Sequence, residues 1–367
     1  MTRRPFIDAA FPDEAMSATR IKQRLTRHYK RLAARKAGLE SPEQQIEAED
    51  REMLEGITER IEVPWAKAQR ISRRAASISD CASRRSPLSR MKSEDRKRLE
   101  VLRNGVDVVT IPSEHRADEI AAELHADFPW LARATEHVWH GLRQSAQSGE
   151  PGVRIRPLLL GGPPAIAKST WARQLAGLIG VPGMTIEATT ENASFGIAGS
   201  QRGWSSAAPG RVMNLILREL VANPVVIVDE VEKAGDAMSD RGRSFSLTGA
   251  LLPLLEPVSS RSWSCPYFEC AFDMSWIIWV LTANDWRLLP EPLLSRCPPI
   301  RLEGPSHAQL LAFARRQGAK RGLSEASIEA ICAALDWTRA RGHRADLRRT
   351  IRLLENAERL QRRPPLQ

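Results

Sequence analysis

The strongest constraint on this chain is a short apolar run that enters a tight loop and then a helix. It reads Leu158-Leu159-Leu160-Gly161, then Gly162-Pro163-Pro164-Ala165-Ile166-Ala167-Lys168-Ser169-Thr170. A strand, a compact loop and a helix opening on Lys-Ser is the arrangement in which backbone N–H groups and a helix N-terminus converge on an anion. Lys168 has the reach for the β- and γ-phosphates of a nucleotide, and the Ser169 hydroxyl is placed to ligate Mg²⁺. The loop therefore reads as a P-loop, with residues Gly162 to Thr170 cradling ATP. It departs from the usual pattern at Ala165 and Ala167, where glycine is frequent. Each methyl restricts the backbone and occupies space beside the phosphates, so a weakened affinity is expected.

A second run, Val225-Val226-Ile227-Val228-Asp229-Glu230, pairs four β-branched residues with two acids. Carboxylates at the C-terminal end of a buried strand stand where α/β sheets bind their ligands. Asp229 is expected to hold Mg²⁺ and Glu230 to orient or deprotonate an attacking water. Around these runs, strands at Pro157–Leu160, Met184–Glu187, Val225–Val228, Trp276–Leu281 and Pro299–Leu302 alternate with helices at Ser169–Gly180 and Gly210–Asn223. Apolar strands alternating with helices predict an α/β fold with a parallel sheet covered on both faces.

This divides the chain into a basic, mainly helical N-terminal region (1–104), a lead-in segment (105–150), the P-loop α/β domain (151–303) and a helical lid (304–367). In the first region, residues 17–37 read as a basic helix. A second helix starts at Ser41-Pro42, carries Ile46, Met53, Leu54, Ile57 and Ile61, and is interrupted by Pro64. Ser72 to Lys97 read as a linker or a loosely packed region.

With a net charge of +10, acidic partners are favoured, and residues 1–105 alone hold 24 Lys/Arg against 16 Asp/Glu. The basic N-terminus leaves a nucleic-acid partner open. The 5 cysteines show no paired spacing, which argues against a disulfide framework or a zinc site. With no apolar run long enough for a membrane span and no signal-peptide pattern, the expectation is a cytoplasmic protein without a membrane partner.

From residue 150 to about 360 the chain resembles the AAA+ ATPase module of Lon-type proteases. Asp229-Glu-Val-Glu-Lys233 is similar to the family's D-E-I-D-K run, and Gly199 to Gly210 aligns without gaps with its G-H-R-R-T-Y-[IV]-G-[AS]-M-P-G segment. Phe268 to Ser275 is similar to its L-E-V-D-Y-D-L-S strand. The resemblance implies a homo-oligomeric, hexameric ring that acts on a protein client, with Trp204 as pore-loop residue and Asn284 as the polar sensor at a strand end. It also implies Arg296 as the arginine finger offered to a neighbouring subunit, and either Arg344 or Arg348 as the second sensor. The chain ends at Gln367, soon after the lid, so no peptidase activity is expected. A clamp-loader-like ATPase on nucleic acid and a degenerate nucleotide-holding scaffold are the alternatives.

Overall fold

The computed structural model describes residues 2–11, 14–36, 62–84, 86–189, 193–202, 207–234, 237–238, 244–341 and 346–362. The helix expected from Ser41, Trp204 and Arg344 lie outside these residues. The chain forms two units: Ala9–Glu100, and Met1–Asp8 together with Val101–Gln367.

The smaller unit contains helices α1 (Ala18–Lys36), α2 (Trp65–Arg84) and α3 (Ser93–Glu100). Helix α1 presents eight Lys or Arg and no acid, and buries only Ile21 and Ala34. The structure corrects the linker reading of Ser72–Lys97, because most of that stretch is helical. Pro64 stands at the start of α2, its carbonyl accepting from Lys67 and Ala68 at 2.8 and 3.0 Å. Ala68, Ile71 and Ala75 recur at helical spacing on its less exposed side. The serine and arginine content masked that stripe, whose residues are mostly too small to register as apolar.

In the larger unit, β1 (Thr2–Arg4) pairs antiparallel with β2 (Val106–Val108). Helices α4 (Glu114–Asp127) and α5 (Ala132–Gln147) follow, then β3 (Leu158–Gly161), α6 (Lys168–Ile179), β4 (Gly183–Glu187), α7 (Ala193–Ala198), α8 (Arg211–Glu219) and β5 (Val225–Asp229). Beyond the short strands β6 (Ala237–Met238) and β7 (Ser244–Phe245) come α9 (Leu247–Leu255), α10 (Pro257–Arg261), and the hairpin strands β8 (Trp263–Ser264) and β9 (Ala271–Phe272). Then come β10 (Ile278–Ala283), α11 (Glu291–Arg296) and β11 (Pro299–Arg301). The main sheet runs β11-β3-β10-β5-β4, every pair parallel. Leu158 to Leu160, Val225 to Val228 and all of β10 are buried, as expected of strands covered on both faces. The predicted α/β parallel-sheet class is what the structure shows, and the strand ends agree within two residues.

A helical lid closes the chain: α12 (His307–Lys320), α13 (Glu325–Ala340) and α14 (Leu347–Arg362). Ser306 and Gln309 form a reciprocal cap at the start of α12, and Ser324 caps α13. Phe313, Ala314, Leu335, Leu347 and Leu354 join Ile166, Trp171 and Leu175 in one buried cluster, so lid and phosphate loop share a core.

Candidate nucleotide site

Strands β3, β5 and β10 lie side by side, so their C-terminal ends deliver the loop, Asp229-Glu230 and Thr282-Asn284 to one place. Between them lies a cavity of about 230 Å³, walled by Pro164 to Thr170, Asp229, Glu230, Thr282, Asn284 and the lid residue Arg348. At this volume it has room for the polyphosphate end of a nucleotide, below the span usual for a larger ligand.

Its polar groups are closely partnered. The Lys168 ammonium donates to the carbonyls of Gly162 (2.7 Å) and Pro163 (3.2 Å) and to Asn284 Oδ1 (3.0 Å), using its three protons. Burial holds its pKa below the ordinary lysine value, against the opposing pull of Glu232, Asp229 and Glu230. Asn284 Nδ2 donates to Glu230 Oε1 at 3.0 Å, while the Asn284 backbone N–H is held by Glu232 Oε1 at 2.8 Å. Lys233 Nζ grips the other oxygen of Glu230 at 2.8 Å. Chiefly through that contact, the Glu230 carboxyl lies below its usual range.

Ser169 Oγ donates to Asp229 Oδ1 at 2.7 Å, and the Thr282 hydroxyl donates to the same oxygen while accepting the Glu230 N–H at 3.1 Å. A hydroxyl and a carboxylate at the foot of a phosphate loop are the hard oxygen donors Mg²⁺ selects, completed by phosphate and water. The residues present therefore fit a Mg²⁺–nucleotide.

Three backbones here are left-handed without glycine: Ala165 (φ 62°), Ala167 (φ 67°) and Glu230 (φ 54°). Both departures from the usual loop pattern thus fall where glycine would be unstrained. Between them, the Ile166 carbonyl accepts a hydrogen bond from the Trp130 indole at 2.8 Å. Trp130 meets Phe313 of α12 edge-on, with ring centroids 5.8 Å apart. Three residues earlier, buried Asp127 accepts from Gln174 of α6 (2.8 Å), Arg316 (2.6 Å) and Lys320 (2.7 and 3.0 Å) of α12. Asp127 and Trp130 thus clasp phosphate loop, α6 and lid together.

Of the residues singled out from sequence, Gly162 and Pro163 are loop carbonyls engaged by Lys168, and the remaining loop residues, Asp229, Glu230, Asn284 and Arg348 surround the cavity. Arg296, at the end of α11, does not line it and pairs with Glu256 at 3.1 Å. Trp204 is not described, but the neck of its loop is: Gly199 bridges Pro209, and the Ser200 N–H bonds the Ala208 carbonyl at 3.0 Å. A Cβ on Gly210 would stand 2.1 Å from the Ile197 carbonyl oxygen, so only glycine closes that neck. Sequence reasoning missed Thr282, Glu232, Lys233 as partner of Glu230, Asp127 and Trp130.

A parallel sheet with a phosphate loop, an Asp-Glu strand end and a helical lid defines the class: a P-loop module of the AAA+ kind. Accordingly, residues 158–303 match the model of the ATPase family associated with various cellular activities. The relatives this region is similar to are Lon proteases. Lon protease 4 of Sorangium cellulosum is 28% identical over 63% of this chain and 32% of its own length. The Lon protease of Magnetococcus marinus is 31% identical over 64% and 30%, and the peroxisomal Lon protease homolog 2 of Arabidopsis thaliana 30% identical over 55% and 22%. The chain thus spans about a third of the length of these relatives, or less. Among solved structures, the closed state of Hsp104 with ATPyS and FITC casein covers 77% of this chain and 50% of its own at TM-score 0.50 and 14% identity, which supports the fold alone. Among the described residues no helix is long and apolar enough to cross a membrane.

Proposed function

We propose that this protein is an ATP-hydrolysing, ring-forming motor that remodels or unfolds a protein client. The observation that carries the reading is the Lys168–Asn284–Glu230 chain of hydrogen bonds around a cavity at the C-terminal ends of three parallel strands. Lys168 exchanges its carbonyl partners for β/γ-phosphate oxygens. Glu230, aimed by Asn284 and kept ionised by Lys233, orients the attacking water and takes its proton. Mg²⁺, held through Ser169 and Asp229, supplies charge neutralisation on the phosphates. Arg348 reaches the phosphates from the lid, and Arg344 remains the other candidate for that task.

Arg296 acts on the neighbouring subunit's nucleotide, so the ring, hexameric by resemblance to Lon-type modules, completes the site. Trp204, which falls in sequence between Gly199 and Gly210, is the residue that grips the client in the pore. The casein-bound Hsp104 structures are proteins of this fold engaged with a polypeptide. Nothing in the comparisons favours the nucleic-acid reading of the basic N-terminus, and we place the motor in the cytoplasm.

The test is ATP turnover measured alongside native mass. Glu230→Gln should lower turnover by at least about a hundredfold while nucleotide binding persists. A protein that stays monomeric with ATP and Mg²⁺ and hydrolyses nothing overturns the proposal. A second reading, a module that holds nucleotide without turning it over, is favoured by the left-handed Ala165 and Ala167. It predicts the same binding with no turnover in the natural sequence.

A further inference from the structure

The phosphate loop takes its shape under strain. Ala165 and Ala167 are both left-handed, with φ of 62° and 67°, a conformation that alanine keeps only where its surroundings hold it. Ile166 stands between them, buried in the core that loop and lid share, and its carbonyl accepts the Trp130 indole N–H at 2.8 Å. Among the described residues this is the one hydrogen bond that reaches Ala165, Ile166 or Ala167 from outside the loop and α6.

A trans peptide holds its carbonyl and its N–H on opposite sides. With the Ile166 carbonyl turned to Trp130, the Ala167 N–H of the same peptide faces the other way, toward the cavity that Ala167 lines. None of the described hydrogen bonds is donated by that N–H, nor by those of Lys168 and Ser169 at the start of α6. The donor on the far side is itself fixed. Trp130 is buried edge-on against Phe128 and against Phe313 of α12, with ring centroids 5.9 and 5.8 Å away. Three residues earlier, Asp127 ties the same turn to α6 and α12.

We infer that Trp130 is a positioning residue for nucleotide binding. Its indole N–H pins the Ile166–Ala167 peptide so that the Ala167 N–H meets a phosphate oxygen, and it opposes the strain of the two flanking alanines. This role rests on the loop being a nucleotide site, and it concerns affinity rather than turnover or assembly. Without the pin the peptide is free to rotate, and the preference of alanine for right-handed backbone draws the loop away from its anion-binding shape. Apparent affinity then falls by the fraction of molecules that leave that shape. With glycine at 165 and 167 the preference vanishes, so the pin has less to hold.

Mg²⁺–ADP, titrated calorimetrically into the full chain, is the probe. Trp130→Phe keeps an aromatic ring beside Phe128 and Phe313 and removes the N–H, and it should weaken ADP about tenfold, the worth of one buried hydrogen bond. In an Ala165→Gly/Ala167→Gly background the same substitution should weaken ADP about threefold or less. Should the phenylalanine variant not fold, Trp130→benzothienylalanine, which puts sulfur in place of the N–H at nearly the same shape, takes its place. A side chain that merely packs the core would lower the denaturant midpoint alike in both backgrounds and leave ADP affinity alone. Unchanged ADP affinity in the folded variant therefore overturns the inference, and so does an equal loss in both backgrounds. Either result leaves the nucleotide site standing, whereas a folded wild type that binds no ADP removes both.

Discussion

Strand β10 carries a buried polar side chain toward each of its ends, and the two are treated oppositely. Near its C-terminal end Thr282, fully buried, donates to Asp229 and accepts from the Glu230 backbone, so every part of its hydroxyl is used. Near its N-terminal end Trp279, equally buried, has an indole N–H with no partner. A polar group whose partners are all in place organises its surroundings, whereas one left open costs stability until something fills it. The nucleotide end of the sheet is thus a network that a ligand must enter by exchange, whereas the far end keeps a buried donor unpaired.

If filled networks hold the nucleotide end together, the largest loss belongs where most bonds meet. That place is Asp127. Its pKa feels burial most, which raises it, but the hydrogen bonds from Lys320, Gln174 and Arg316 outweigh that and bring it below the ordinary aspartate value of 3.8. Asp127→Ala should cost about 3 kcal/mol, the lower part of the range for a broken buried pair, because Arg316 and Lys320 are half exposed and regain water. A group depressed in the folded state stabilises at pH above its unfolded value and ceases to as pH falls through the folded one. Denaturant melts of wild type and variant should therefore converge as the pH drops below 3.8. Wild-type stability that did not outlast the variant's at neutral pH would remove the clasp from the account.

The contrast along β10 itself is tested by a pair of substitutions. Thr282→Val keeps the shape but strands the Glu230 N–H and one Asp229 interaction, at about 1–3 kcal/mol. Trp279→Phe removes an N–H that bonds nothing, so what remains is the modest cost of lost ring volume, smaller than the threonine change. Equal losses in the two variants would show that the difference in hydrogen bonding does not matter to stability.

The phosphate loop and the acidic strand end were legible because their signals are local: an apolar run, a turn, a helix start, each within a dozen residues. What escaped was carried by distance. Asp127 and Arg316 are 189 positions apart, and Glu230 and Thr282 52. Thr282 in an apolar run reads as an ordinary strand former. Trp130 reads as a generic core aromatic until its indole is seen on the Ile166 carbonyl. The N-terminal stretch from Ser72 failed differently: the stripe of Ala68, Ile71 and Ala75 begins before it and is set among serines and arginines that read as a linker composition.

A smaller effect is expected at the loop. Ala167→Gly removes a left-handed alanine, a gain of about 1–2 kcal/mol, but loosens the unfolded chain, a loss of about 0.4–1 kcal/mol. The net is a stabilisation of about 0–1.6 kcal/mol, read by denaturant midpoint, with tighter ATP binding by calorimetry. Unchanged affinity would mean that the methyl does not crowd the phosphates, and would leave the strain without functional consequence.

The smallest expected change separates orientation from charge at Glu230. Lys233→Met leaves the Asn284 contact intact and removes the ammonium that chiefly lowers the Glu230 pKa. Glu230 works ionised, so the acid limb of turnover follows its pKa. That limb lies below the ordinary glutamate value of 4.5 in the wild type and should move up toward it in the variant. At neutral pH the carboxylate is ionised in both, and turnover should hardly differ if Asn284 alone aims it. A neutral-pH loss as large as the acid-limb change is visible would instead assign Lys233 to aiming the carboxylate, making the filled network at this end one member larger.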